Sequence, residues 1–177
     1  MAGSVLTDKK DLTERDSALL RHVQSASAAL RRGDIVAVQS DGTVYGAIAS
    51  EIASDDTLKR LGQLTAEEPF IALTSRRAAV LHILPTGADV LRVTADKPMD
   101  ASALRSLADP TKDLSNPLRG PLVSDKAAVH PTVRAAIKLC KLAQLLPSVC
   151  AAKIGNPVSI AETVVTVDVE EIDQFDK

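Results

Sequence analysis

The sequence has no tryptophan, one tyrosine and two phenylalanines, so aromatic residues make up only 2% of its 177 positions. This argues against an aromatic platform for stacking single-stranded nucleic acid, and the core must be built from Ala, Leu, Val and Ile. A basic surplus is missing as well. The net charge is −2 and the isoelectric point is near 5.9, which argues against general binding to nucleic acid or to an anionic membrane. No apolar run approaches the ~18 residues of a membrane span, and MAGSVLTDKKDLTERD lacks the apolar centre of a signal sequence. A cytoplasmic location is expected. There are only two cysteines, Cys140 and Cys150, both at apolar positions, so buried reduced thiols are expected in place of a disulfide or metal pair. P-loop, G-x-G-x-x-G, H-E-x-x-H and C-x-x-C motifs are all absent.

What is present reads as a globular domain. Apolar residues form 45% of the chain and mean hydropathy is +0.06, above the range of disordered sequences. Residues 1–12 read as a polar, flexible tail, and 13–177 as one domain. The organising stretch is Pro117 to Ile154. In it Val133, Ala136, Ile137, Cys140 and Ala143 recur at helical spacing, widened by Leu139, Leu142 and Leu146, with Arg134, Lys138 and Lys141 opposite. Pro131 suits the first turn of this helix and Pro147 is expected to stop it. Val149 to Ile154 follows as a strand, and so broad an apolar stripe must pack on a sheet.

The earlier chain alternates helix and strand signals. Thr13 with Asp16 resembles a cap, Leu20, Val23, Ser27 and Leu30 mark a helical face, and Gly33 closes it. Asp34 to Gln39 is β-rich, Asp41-Gly42 is a hairpin turn, and Thr43 to Ala49 is the return strand. Ser54 caps a helix with Leu58, Leu61 and Leu64 on its apolar face. Phe70 to Leu73 and Val90 to Thr94 read as strands, with a short helix Arg76 to His82 capped by Ser75 between them. Asp100 caps a helix through Ala108, and Asp109 to Lys126 reads as a loop. A last strand, Val164 to Val167, precedes a helix opened by Asp168 and Glu171. The tally, about six helices and six strands with one hairpin, predicts an α+β fold: a single layered domain with a mixed, partly antiparallel sheet flanked by helices.

Chemistry-bearing residues are sparse. His22 reads as a surface residue and His82 as a helix-end cap. His130 stands at the mouth of the main helix, where an anion-binding or catalytic group would act. Arg31-Arg32 and Arg76-Arg77 read as solvated basic pairs, and Glu170, Glu171, Asp173 and Asp176 as a solvated acidic face.

Five stretches, in order and spacing, resemble 3,4-dihydroxy-2-butanone 4-phosphate synthase of riboflavin biosynthesis: ALRRGDIVAV (Ala29 to Val38), ALTSRRAAVL (Ala72 to Leu81), DLSNPLRGPL (Asp113 to Leu122), AAIKLCKLAQLLPSVCAAKI (Ala135 to Ile154) and VVTVDVEEI (Val164 to Ile172). The resemblance implies that family's fold and a homodimer. It also implies an acidic stretch after the first strand that holds Mg²⁺ and moves protons on ribulose 5-phosphate. Here that place reads QSDGTVYGAI (Gln39 to Ile48), in which Asp41 alone is acidic. The family's metal-binding His falls on Thr132 and its Glu on Arg134, with His130 two residues early. A later family glutamate falls on Lys153, which can serve neither as carboxylate ligand nor as base. Arg119 of the Pro-Leu-Arg is retained.

The resemblance thus implies a degenerate domain of the type found ahead of GTP cyclohydrolase II, with a structural or regulatory role. No catalytic residues, metal or cofactor are expected in it. A vestigial ligand pocket is expected at Arg119, His130, Thr132 and Lys153, and a GTP cyclohydrolase II domain is the expected partner. The alternatives are an active synthase acting on ribulose 5-phosphate, and a small-anion sensor.

Overall fold

The computed structural model describes residues 3–84, 86–95, 97–115, 121–125, 127–160 and 162–175, with backbone alone for 3–16. Six α-helices are found there: α1 (Gly3–Arg31), α2 (Asp55–Leu64), α3 (Ser75–Val80), α4 (Ala101–Ala108), α5 (Pro131–Leu142) and α6 (Val169–Phe175). Seven strands accompany them: β1 (Val36–Ser40), β2 (Thr43–Ala49), β3 (Phe70–Thr74), β4 (Val90–Ala95), β5 (Leu122–Asp125), β6 (Ser148–Lys153) and β7 (Val165–Asp168). They form a single sheet in the order β5-β4-β3-β6-β2-β1-β7. Every pairing is antiparallel except β1 with β7, so the sheet is mixed and partly antiparallel, as the hairpin required.

Alternation along the strands sends side chains to two cores. On one face Val36, Val38, Ala47, Ala49, Ala72, Val149, Ala151 and Val167 pack against α1, α5 and α6. On the other, Ala37, Ile48, Ile71, Leu73, Leu91, Val93 and Cys150 pack beneath α2, α3 and α4. Cys140 belongs to the first core and Cys150 to the second. The sheet therefore lies between the two thiols. Both are free and buried, and burial pushes each thiol up to about 12.

Helix α5 touches β1, β2, β6 and β3, the centre of the sheet. Its buried positions are Thr132, Val133, Ala135, Ala136, Ile137, Leu139 and Cys140, of which its periodicity marks all but Thr132 and Ala135. It ends sooner than the apolar pattern suggests. Gln144 turns left-handed at φ 60°, and the Leu145 amide donates back to the Cys140 carbonyl at 2.8 Å. Backbone closure of this kind stops a helix before Pro147 has any effect.

Several other elements depart from the sequence reading. Helix α1 begins at Gly3, inside the stretch read as a tail, and Leu20 on its expected apolar face is 44% exposed. The cap of α3 is Thr74, whose hydroxyl accepts from the Arg77 amide, and not Ser75. The stretch 109–126 is not all loop. Pro110–Lys112 forms a 3₁₀ turn, and β5 pairs with β4 as the sheet's edge. A four-residue edge strand buried on neither side carries no apolar alternation to read.

The largest departure is Arg77. It is 9% exposed. Its Nε donates to the Leu107 carbonyl at 2.7 Å, and its two terminal nitrogens donate to Asp113 at 2.7 and 2.8 Å. This fork joins α3 to the segment leaving α4. At the C-terminal end, α6 is held by His22 with Glu171 at 2.7 Å and Lys138 with Asp173 at 2.9 Å, so two of its acids serve as anchors and not as a free solvated face. The Glu171 carboxylate also accepts from the Asp168 amide, the capping contact its spacing predicts.

Candidate functional site

The site forms where the first turn of α5 meets the ends of β2 and β6. Pro131 sets the helical φ of the first turn and biases His130 toward extended backbone. His130 accordingly sits at φ −58°, ψ 146° as the N-cap. Its Nδ1 accepts from the Thr132 amide at 3.3 Å and lies 2.9 Å from the Thr132 hydroxyl. With Nδ1 accepting, the neutral ring carries its proton on Nε2. Thr132 is fully buried, so this pair fixes the imidazole from below.

The ring lies against Tyr45 of β2, with centroids 5.4 Å apart and planes 21° from parallel. Tyr45 meets Phe70 of β3 edge-on at 6.3 Å. The Arg92 guanidinium covers Phe70 at 4.1 Å from the ring centroid, a cation–π contact. Arg92 Nε also lies 3.3 Å from Asp125 Oδ2, near enough for charge attraction but at an angle too poor for a hydrogen bond. A line of rings and charges thus crosses the sheet from α5 to its β5 edge.

Lys153 is the direct cross-strand partner of Tyr45. It is exposed, as is Arg134 one turn into α5. Among the described residues neither makes an ion pair. Burial holds the His130 pKa below its ordinary value; Lys153 and Arg134 push the same way, and Asp41 opposes them. Tyr45 is raised by burial and by Glu67, with Arg92 opposing. Asp41 itself is a turn residue, as expected. It and Gly42 adopt φ 49° and 73°, the pattern of a tight hairpin turn, and its carboxylate accepts from the Ser40 hydroxyl at 3.2 Å.

The structure therefore brings together three of the four predicted pocket residues: His130, Thr132 and Lys153. The fourth, Arg119, lies outside the described residues. Sequence reasoning missed Tyr45, Phe70 and Arg92. Their one legible signal was scarcity, because Tyr45 is the sole tyrosine and Phe70 one of two phenylalanines.

No family model matches the sequence. A GTP cyclohydrolase-2 of Azospirillum brasilense is 38% identical over 136 residues, covering 75% of this chain and 35% of that protein. The chain thus spans about a third of the length of the curated relative it matches. Among solved structures, 3,4-dihydroxy-2-butanone 4-phosphate synthase of Candida albicans superposes with a TM-score of 0.66 at 16% identity, over 88% of this chain and 97% of that one. A synthase solved in complex with two magnesium ions gives a TM-score of 0.62 at 20% identity, over 86% and 95%.

The residues gathered here do not fit such an ion pair. Magnesium requires near-octahedral oxygen ligation, usually through carboxylates. The acid facing His130 is the turn residue Asp41, and a lysine stands at the end of β6. Among the described residues no three His, Cys, Asp or Glu side chains converge on a common point. The chain has the fold of 3,4-dihydroxy-2-butanone 4-phosphate synthase, and its sequence is similar to part of a GTP cyclohydrolase-2.

Proposed function

We propose that this is a catalytically degenerate synthase-like domain of riboflavin biosynthesis, with a structural or regulatory role, joined in longer proteins to a GTP cyclohydrolase II domain. The observation that carries the reading is the sign of the charge at the site. Burial first, then Lys153 and Arg134, disfavour the cationic form of His130, with Asp41 alone opposing, whereas a site that gathers a divalent cation needs carboxylates there. A cytoplasmic location and a homodimer belong to the same reading, the latter by analogy with the synthase family.

The test is turnover. Purified protein with millimolar Mg²⁺ and ribulose 5-phosphate, followed by NMR, is expected to leave the sugar phosphate unchanged, with no magnesium-dependent rise in melting temperature. Chelator-sensitive consumption of ribulose 5-phosphate would establish the active-synthase alternative instead. Sedimentation at tens of micromolar tests the dimer, and a monomer there removes it.

A further inference from the structure

We propose that the Tyr45–His130 stack, flanked by Lys153 and Arg134, binds a planar heteroaromatic phosphate monoester of the nucleoside-monophosphate type. This rests on the reading of the site as a pocket without metal chemistry, and names its ligand class. The first support is where the rings are. The chain has one tyrosine and two phenylalanines, and its two cores are filled almost wholly by aliphatic side chains. Tyr45 and Phe70 nevertheless converge with His130 at one end of the sheet. Tyr45 and His130 each keep some exposure, although Tyr45 also packs against the first core, in which Phe70 is buried. Thr132 holds the imidazole by Nδ1, which keeps the ring in a fixed plane.

The second support is the charge beside the rings. A neutral imidazole over a phenol presents an uncharged π surface, suited to stacking a base. Lys153 lies directly across the strand pair from Tyr45, within a few ångströms of its Cβ by the geometry of such pairs. The charged groups acting on His130 are Lys153, Arg134 and Asp41, and those acting on Tyr45 are Glu67 and Arg92. Arg92 is already paired with Asp125. Lys153 and Arg134, with no ion pair among the described residues, are available to a phosphate monoester. A sugar phosphate would use these cations but leave the rings idle; a mononucleotide uses both.

The absence of tryptophan and the single tyrosine make the test direct, because tyrosine emission reports Tyr45 alone. Calorimetry compares AMP, adenosine, ribose 5-phosphate and inorganic phosphate, and tyrosine emission is followed with each. AMP is expected to bind at least about tenfold more tightly than ribose 5-phosphate, the order of one base-stacking contact, and to change the emission. Lys153→Gln, at an exposed position that does not threaten folding, is expected to weaken AMP about tenfold and leave adenosine unchanged. His130→Ala is expected to weaken AMP and adenosine and to leave ribose 5-phosphate unchanged, with far-ultraviolet circular dichroism confirming the fold. AMP binding no tighter than ribose 5-phosphate overturns the proposal, as does unchanged tyrosine emission or AMP affinity indifferent to Lys153→Gln. Chelator-sensitive turnover of ribulose 5-phosphate would strike the degenerate-enzyme reading and with it the premise that this site lacks metal chemistry; failure of AMP without any turnover would strike this proposal alone.

Discussion

Replacing Arg77 by methionine removes an interior charge while keeping an unbranched apolar stem. The guanidinium makes two short bonds to Asp113, one to the Leu107 carbonyl at 2.7 Å and a longer one to the Asp109 carbonyl at 3.4 Å. Breaking a fully buried pair from one side costs about 3–5 kcal/mol where the partner charge keeps no other compensation, and Asp113 keeps a further interaction. The Asp113 side chain is 27% exposed against 9% for Arg77, so water recovers part of its solvation. The Leu107 carbonyl loses its charged donor and adds a further cost of the hydrogen-bond kind. The expected loss is therefore about 2–4 kcal/mol, or roughly 4–16 °C in melting temperature for a domain of this size. Urea unfolding of wild type, Arg77→Met, Asp113→Asn and the double variant gives the coupling directly, expected to be on the order of 1–3 kcal/mol. A loss below about 0.5 kcal/mol with coupling near zero would show that Arg77 is solvated after all, and that α3 is not tied to the segment after α4.

Three further outcomes are expected. Ile137→Ala leaves a cavity at a position 2% exposed between α5 and the sheet, and a loss of about 2–5 kcal/mol in chemical denaturation is expected; under half a kilocalorie would place Ile137 at the surface. Because His130 has a pKa lowered from 6.5, the folded chain binds fewer protons than the unfolded one below that value. The stability present above about pH 6.5 is then lost as pH falls through the lowered folded value, and His130→Gln is expected to flatten urea midpoints between pH 7 and 5; an unaltered slope would refute this. Cys140 and Cys150, pushed up to about 12 by burial, are expected to react with a thiol reagent only on unfolding, and a fast native-state phase would contradict their burial.

Local signals were enough for most of the architecture. The Asp41-Gly42 turn, the caps Ser54 and Asp100, and the buried stripe Val133–Cys140 all stand where their spacing places them, since each depends on backbone conformation and periodicity within a few residues. The positions of His130 and Lys153 on either side of Tyr45 were legible only through the family resemblance, because 22 intervening positions separate them in the chain: β6 pairs Lys153 with Tyr45 and the packing of α5 stacks His130 on it. Three things belonged to the tertiary structure alone. Arg77 and its exposed neighbour Arg76 look alike as sequence, and which of the two turns inward depends on Asp113 and the Leu107 carbonyl arriving from a distant segment. Strand β5 exists because β4 offers it an open edge, and not through any pattern of its own. Tyr45, Phe70 and Arg92 come from three strands, and β6 lies between the first two; the register of the sheet sets an arginine over a phenylalanine, and the packing of α5 on it sets a histidine against a tyrosine. Periodicity assigns a side chain to a face. It carries no information about which residues of other strands share that face at the same height, and that is what makes a site.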